Sequence, residues 1–392
     1  FRSIFGAAGY TSFSWPMTTL KMNKVFIVAG EPSGDIHAAK LVSSLKIISP
    51  KTKFFGNGGD KMSESGVEII HHINDLSVMG FIEVIKHLPK LLNILQSTVS
   101  SIKNIKPDRI ILVDYPGFNL RLAKKIKSLR IPITYFILPQ LWAWKESRIK
   151  TMKNTIDQSI SIFPFEAEWF NSRGLDTFYA GHPFVERNYD LDDKTNFFNK
   201  HNFKQDRPII VLLPGSRQQE IDYHWPIFLK TVAILNKKMP SVQTVVVKYN
   251  NVKLNPVPDH IKIEVSMRSA MKYGTAAISS SGTATLECAL ANLPTVVCYK
   301  MSYVNWILFK FFGKVKYISI VNLIANKKII PELIQHRMTT ENIINKIFPY
   351  LDITSNKRQT TIKKYKKLRK NLGSPGVFDR VANIIVHGKL TN

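Results

Sequence analysis

Ser279-Ser280-Ser281-Gly282-Thr283-Ala284-Thr285-Leu286-Glu287 joins a short apolar run, Thr275-Ala276-Ala277-Ile278, to an Ala/Leu-rich continuation through Ala291. The pattern predicts a strand, a small-residue turn and a helix that begins at Thr283. Unpaired N–H groups at such a helix start, approached across small side chains, make a phosphate site. Glu287 falls one turn inside the helix, where a carboxylate can hold sugar or ribose hydroxyls. An ordinary strand-to-helix turn capped by Thr283 is the plainer alternative.

A second turn of the same kind lies far upstream. Lys24-Val25-Phe26-Ile27-Val28-Ala29 is a near-continuous apolar run, as expected of a strand buried on both faces of a parallel sheet. It ends in Gly30-Glu31-Pro32-Ser33-Gly34-Asp35, followed by a helical pattern from Ile36 to Leu45. The glycine spacing and Pro32 exclude the dinucleotide fingerprint. The turn still sets a hydroxyl and two carboxylates at the carboxyl end of a first strand, where open α/β sheets bind ligands. Two such turns, one in each half, predict two sheets facing one cleft.

The chain has 392 residues, enough for two α/β domains. A hydrophobic fraction of 44% and a mean hydropathy of −0.07 are those of a globular protein with ample core. Fifty-five Lys and Arg against 28 Asp and Glu give a net charge of +27, which points to an anionic partner. Nucleic acid, an anionic membrane surface and a phosphorylated substrate all qualify. A bias toward Lys, Ile and Asn contributes to the same excess. Cys288 and Cys298 give no disulfide framework. No run reaches the roughly 18 uncharged apolar residues of a spanning helix. Residues 1–21 match neither the period nor the composition of the remaining chain and are read as an extension outside the fold.

Strands and helices alternate through residues 22–185. Apolar runs at 24–29, 109–113, 133–137 and 159–163 read as strands, and Phe81 to Ser101 is apolar at helical spacing, with Pro89 marking a break or an early turn. Residues 186–207 turn polar and read as a linker. Pro208-Ile209-Ile210-Val211-Leu212-Leu213 restarts the alternation, and strands at 243–248, 261–265, 275–278 and 295–299 complete a second domain ending near residue 365. A lysine-rich helix at 356–371 and a closing helix at 377–387 follow, with 366–392 expected to pack back on the first domain or on a partner chain. The rhythm predicts right-handed βαβ units and two doubly wound, Rossmann-like α/β domains.

Asp114 follows directly on the strand at 109–113, where a general base can stand at the active edge of the first sheet. A helix-capping role is its alternative. Arg217 closes the turn Leu213-Pro214-Gly215-Ser216-Arg217, and a guanidinium beside exposed N–H groups suits a diphosphate leaving group. His182, at the domain junction, reads better as a packed or hinge residue than as a catalyst. No Cys/His/Asp cluster has metal-ligand spacing, and neither a Walker lysine nor a Gly-x-Ser-x-Gly elbow occurs. The stretch from Tyr299 to Lys314 interleaves aromatics, among them Trp306 and Phe309, with lysines such as Lys310. It fits an interfacial segment or a core helix with a wet lysine face. Val78-Met79-Gly80-Phe81-Ile82-Glu83-Val84-Ile85 carries the same ambiguity.

Nine stretches in order resemble the lipid-A-disaccharide synthase family. They are Ala29–Asp35, Val78–Val84, Asp114-Tyr115-Pro116-Gly117-Phe118-Asn119, Pro139-Gln140-Leu141-Trp142-Ala143-Trp144-Lys145, Phe163–Glu166, Gly181-His182-Pro183, Leu213–Arg217, Ser281–Glu287 and Val321-Asn322-Leu323-Ile324. The resemblance runs from about Lys24 to the C-terminus. It implies an inverting glycosyltransferase of the GT-B type, which joins UDP-2,3-diacylglucosamine to 2,3-diacylglucosamine 1-phosphate (lipid X) and releases UDP. It further implies transfer without metal or cofactor, work at the inner face of the cytoplasmic membrane on an anionic lipid surface, and C-terminally swapped dimers.

Carried onto this chain, the resemblance makes Asp114 the base for the acceptor 6-hydroxyl, with Glu31 as second choice. Ser281, Gly282, Thr283 and Arg217 would hold the diphosphate, Glu287 the ribose, and Ser33 and Asn322 other parts of the nucleotide sugar. Val78, Met79, Phe81 and Val84 would meet acyl chains, and Trp306, Phe309 and Lys310 the membrane. The chain departs from the pattern at Gly117, where many members carry a second Asp, and at Leu138, where a Ser is common. A UDP-N-acetylglucosamine 2-epimerase or the peptidoglycan GT-B transferase would share the two-domain cleft but lack the Trp142–Trp144 and Val78–Val84 marks. A nucleic-acid-binding protein would gather its basic residues in one stripe, whereas here they are spread along the chain.

Overall fold

The apolar runs fold as the central strands of two parallel sheets in a computed structural model that describes residues 22–76, 88–143, 145–187, 194–249, 252–303, 306–307 and 316–388. The extension 1–21 and the site residues Val78, Met79, Phe81, Val84, Phe309 and Lys310 lie outside the described residues.

The first sheet contains β1 (Lys24–Ala29), β2 (Lys53–Gly58), β3 (Val67–His72), β4 (Arg109–Val113), β5 (Ile133–Phe136), β6 (Gln158–Ser161) and β7 (Thr177–Tyr179). Their spatial order is β3-β2-β1-β4-β5-β6-β7, with parallel ladders throughout. Val25 to Ala29 and all of β4 are buried, as helices on both faces of a doubly wound sheet require. The helices are α1 (Pro32–Ile48), α2 (Asp60–Glu64), α3 (Ile73–Leu76), α4 (Leu88–Ile105), α5 (Pro116–Ile126), α6 (Ile149–Thr155) and α7 (Pro164–Asn171). Proline opens α1, α5 and α7, where its missing N–H costs nothing. Pro89 is the second described residue of α4, and the part of the predicted helical stretch before Leu88 lies outside the described residues.

The chain then repeats the plan. Helix α8 (Lys194–His201) occupies part of the stretch that reads as a linker, because Phe197 and Phe198 are buried among its polar neighbours. β8 (Ile209–Leu213), β9 (Gln243–Val247), β10 (Ile261–Glu264), β11 (Ala276–Ser280), β12 (Thr295–Tyr299) and β13 (Glu332–Ile334) form the second parallel sheet, ordered β10-β9-β8-β11-β12-β13. Helices α9 (Gln218–Lys238), α10 (Met267–Tyr273), α11 (Thr283–Leu290), α12 (Ile320–Ala325) and α13 (Thr340–Leu351) cover it. In each sheet the order reverses beside the first strand, between β1 and β4 and between β8 and β11. Such switch points open a crevice at the strands' carboxyl ends.

The last two helices tie the halves together. Arg358 of α14 (Asn356–Asn371) donates to the Tyr350 carbonyl at 2.9 Å, and Arg369 to the Leu290 carbonyl at 3.2 Å, both in the second half. Helix α15 (Val377–His387) crosses back to the first half, where Ser44 donates to Asp379 at 2.7 Å and Gln158 to the Ile384 carbonyl at 2.8 Å. One apolar cluster runs through α1, α11, α12 and α15 and is shared by both halves.

Candidate active site

Strand register decides which turns meet. Ala29 pairs with Val113, so the Gly30–Asp35 turn and the Asp114–Gly117 turn leave the first sheet side by side. Asp114 and Tyr115 both adopt left-handed backbone, with φ of 49° and 48°. For two consecutive non-glycine residues this costs about 1–3 kcal/mol each and persists only where surroundings enforce it. Here the Asp114 N–H donates to the Phe136 carbonyl at 3.1 Å, and the Asp114 carbonyl accepts from Tyr135 Oη and Asn119 Nδ2, both at 2.7 Å. Tyr115 Oη donates to the Leu76 carbonyl at 2.7 Å, and its ring covers Gly30.

This scaffold holds Asp114 partly buried at the carboxyl end of β4. Burial, and then the Glu31 charge, push its pKa up to about 6, against an opposing backbone hydrogen bond from Tyr115. Glu31 and Ser33 are exposed on the neighbouring turn. Asp35, the second carboxylate of that turn, points inward. It accepts from the N–H groups of Gly59 at 2.7 Å and of Lys61 and Met62 at 3.1 Å, which caps α2.

In the second sheet Ser279 pairs with Leu213, which brings the Pro214–Arg217 turn against the Ser281–Thr283 turn. Between them lies an open cavity of about 280 Å³, lined by Gly215, Ser216, Arg217, Tyr249, Ser281, Gly282 and Thr283 among others. The cap of α11 is Gly282, at φ 152°, and not Thr283, and glycine has no side chain to cap the first N–H groups. The Thr283 cap is therefore corrected: β11 leaves the sheet in a backbone conformation suited to glycine, and Thr283 becomes the first helical residue. Ser281 Oγ donates to the Ile318 carbonyl at 3.1 Å. Glu220, one turn into α9, accepts from the Ser216 N–H at 3.1 Å and lies 3.7 Å from the Arg217 guanidinium, which is 69% exposed.

Glu287 does sit one turn inside α11, but it is 4% exposed and its carboxylate pairs with Arg187 from the connector between the halves. The side chain of Asn322, expected to contact the nucleotide sugar, is turned inward and fully buried. Its Nδ2 donates to the Ile330 carbonyl at 3.0 Å and to Glu332 at 2.9 Å, and its Oδ1 accepts from the N–H groups of Ile329 at 2.7 Å and Ile330 at 3.0 Å. Asn322 and Glu332 thus fix the start of α12, with Glu332 also accepting from the Ser319 N–H at 2.9 Å. Trp306 is half-buried beside Tyr303, which is 76% exposed. Among the described residues no three His, Cys, Asp or Glu side chains form a metal-binding group.

Several participants carry no local signal. Arg187, Glu332 and His224 act through contacts far away in sequence. His224 bridges the Pro214 carbonyl at 2.8 Å and the Lys300 N–H at 3.0 Å. His182 is packed, with its Nδ1 accepting from the Phe184 N–H at 3.1 Å, and burial pushes its pKa down to about 3. Glu166 accepts from the Trp142 indole at 3.0 Å, and burial pushes its carboxyl up to about 8. Gln140, Trp142, Phe163 and Phe165 from the first half face Ile320 and Leu323 of α12, so the exits of the two sheets approach each other.

The family model described as lipid-A-disaccharide synthetase matches residues 25–380. A lipid-A-disaccharide synthase of Myxococcus xanthus is 34% identical over 371 residues, covering 93% of this chain and 97% of its own length. The lipid-A-disaccharide synthase 1 of Legionella pneumophila is 37% identical over 361 residues, covering 90% of this chain and 94% of its own length. Among solved structures, a UDP-GlcNAc 2-epimerase of Methanocaldococcus jannaschii, in complex with UDP-GlcNAc and UDP, superposes with a TM-score of 0.61 at 11% identity, over 92% of this chain and 99% of that one. That likeness shows the fold alone.

Proposed function

The chain belongs to the lipid-A-disaccharide synthetase family, glycosyltransferases of lipid A biosynthesis, and on that premise we propose how its two turns divide the reaction. The donor is a UDP-sugar, UDP-2,3-diacylglucosamine, whose diphosphate occupies the cavity between Arg217 and the start of α11. The acceptor is lipid X, presented to the first sheet near Asp114.

Asp114 accepts the proton of the acceptor 6-hydroxyl as that oxygen attacks the donor's anomeric carbon. The carbon–oxygen bond to UDP breaks on the opposite face, inverting the anomeric centre, and the bond's electrons leave with the diphosphate. The N–H groups of Gly282 and Thr283 and the Arg217 guanidinium take up that charge. Glu287 holds the ribose, Ser33 reaches the nucleotide sugar from the first sheet, and Asn322 acts by fixing α12 against α11. Glu31 raises the basicity of Asp114 and is the alternative base.

One observation carries this division of labour. Each sheet's switch point carries a feature that supports it: a carboxyl raised to about 6 in the first, and in the second a small-residue turn at a helix start beside a cavity. The proposal extends to the inner face of the cytoplasmic membrane. No described helix is long and apolar enough to cross a membrane. Exposed Leu88 and Leu92 on α4, and Tyr303 and Ile307 beside Trp306, are apolar groups that an anionic lipid surface would cover. Val78, Met79, Phe81, Val84, Phe309 and Lys310 would join them. A swapped dimer would exchange the C-terminal helices that bridge the halves.

The test is UDP release from UDP-2,3-diacylglucosamine with and without lipid X, in detergent, for wild type and Asp114→Ala. Acceptor-dependent release that collapses in the variant supports the assignment. Acceptor-dependent release that survives in it removes Asp114 as base.

A further inference from the structure

Arg187 is the one described residue of the connector that reaches the candidate nucleotide helix with a charge. Its guanidinium pairs with Glu287 of α11 and stacks 4.0 Å from the centroid of the Phe184 ring. Side-chain exposure is 31% for Arg187 against 6% for Glu287, so the cation sits on the open side of the pair and screens the carboxylate from solvent. Its field reaches both halves. It helps to hold His37 and His182 neutral in the first half, and it opposes the rise in the pKa of Tyr249, which lines the 280 Å³ cavity of the second.

We propose that Arg187 is a second phosphate-recognising cation of the nucleotide site, exchanging Glu287 for the ligand's diphosphate when ribose hydroxyls engage that carboxylate. The proposal rests on the reading that the cavity takes UDP. The geometry favours such an exchange. Arg187 meets Glu287 through Oε2 and covers it from the open side, so a ribose that engages this carboxylate competes with the guanidinium, and a partly exposed cation released from its partner is drawn to the next anion, the diphosphate. The planar fork of an arginine suits a diphosphate oxygen pair. Because Arg187 lies on the connector, the exchange also couples nucleotide binding to the seating of the two halves.

The experiment titrates the full chain with UDP and with uridine, for wild type, Arg187→Gln and Glu287→Gln, and measures the KM for lipid X in each. Wild type must first bind UDP; failure there overturns the cavity reading itself. The expected result for Arg187→Gln is a loss of UDP affinity of about ten- to a hundredfold with uridine affinity unchanged or improved. Glu287→Gln should weaken both ligands. Equal weakening of UDP and uridine in Arg187→Gln, stronger binding of both, or an effect confined to lipid X would overturn the assignment. Arg187→Lys keeps the charge without the fork. It separates lost folding from lost recognition, since it should restore part of the UDP affinity and leave uridine untouched.

Discussion

The phenol ring of Tyr115 lies against Gly30 so closely that a Cβ at position 30 would overlap it. The contact locks the exits of β1 and β4 together and helps to enforce the left-handed pair at Asp114 and Tyr115. Gly30→Ala must displace the ring, and overpacking of this kind costs about 1–3 kcal/mol. The expected outcome is a fall of more than tenfold in kcat with UDP affinity unchanged, because the turn proposed to hold the nucleotide belongs to the other sheet. Steady-state kinetics beside a UDP titration checks this. A variant with wild-type kcat would show that the contact does not hold the base.

Asp114 must be ionised to accept a proton, so kcat/KM should fall with unit slope as pH drops through about 6. The Glu31 charge is one cause of the raised value. Glu31→Gln should therefore move the acidic limb to lower pH, while Gly117→Asp should move it higher by adding a like charge. Position 117 has room, since a Cβ there meets nothing within 4 Å. Opposite displacements identify Asp114 as the titrating base; loss of activity in Glu31→Gln at every pH would give that role to Glu31.

Arg217 and the start of α11 should act on the diphosphate alone. Arg217→Ala is expected to weaken UDP by about tenfold or more and to leave uridine unaffected. The side chain is 69% exposed, so part of the effect should fade at high salt. Isothermal titration at two ionic strengths measures both features, and equal losses for UDP and uridine would count against a phosphate contact.

What the sequence discloses is what repeats locally. The apolar runs at β1, β4, β8 and β11 announce buried parallel strands, and each is followed by the turn that carries the proposed chemistry. The short strands β3, β7 and β13 escape notice, since six and three residues of mixed polarity carry little periodicity. Helix α8 is hidden by its Asn and Lys, although its two phenylalanines do the packing. Arg187 reaches Glu287 across a hundred positions, and only the folded chain makes them neighbours. Asp35 and Asn322 show the converse. Both stand in recognisable motifs, but their side chains bond backbone groups of the protein and, for Asn322, the Glu332 carboxylate as well.

Holding a carboxylate at Asp114 should cost stability. Its folded pKa of about 6 exceeds the ordinary value of 3.8, so the folded chain keeps a proton that the unfolded chain has already lost between those values. Stability therefore falls as pH rises through that window, by on the order of 3 kcal/mol once above it. Asp114→Asn removes the charge, and asparagine tolerates left-handed backbone. The inactive variant should match wild type in urea near pH 4 and exceed it at pH 8. A difference independent of pH would mean that the carboxyl is not raised by folding.

Asn322 offers the sharpest separation of structure from contact. Its amide makes four hydrogen bonds, two to N–H groups and two to oxygens, and it is fully buried. Asn322→Ala would leave the Ile329 and Ile330 N–H groups and the Glu332 carboxylate short of partners inside the protein. Each orphaned group costs about 1–3 kcal/mol, so the expected urea midpoint drops well below that of wild type. Ser281 donates to Ile318, just ahead of α12, so loosening that helix start should also lower kcat. UDP affinity of the folded fraction should stay within a few fold, because no atom of the amide is available to the ligand. A variant of unchanged stability that lost UDP affinity would reverse the conclusion and make Asn322 a direct contact.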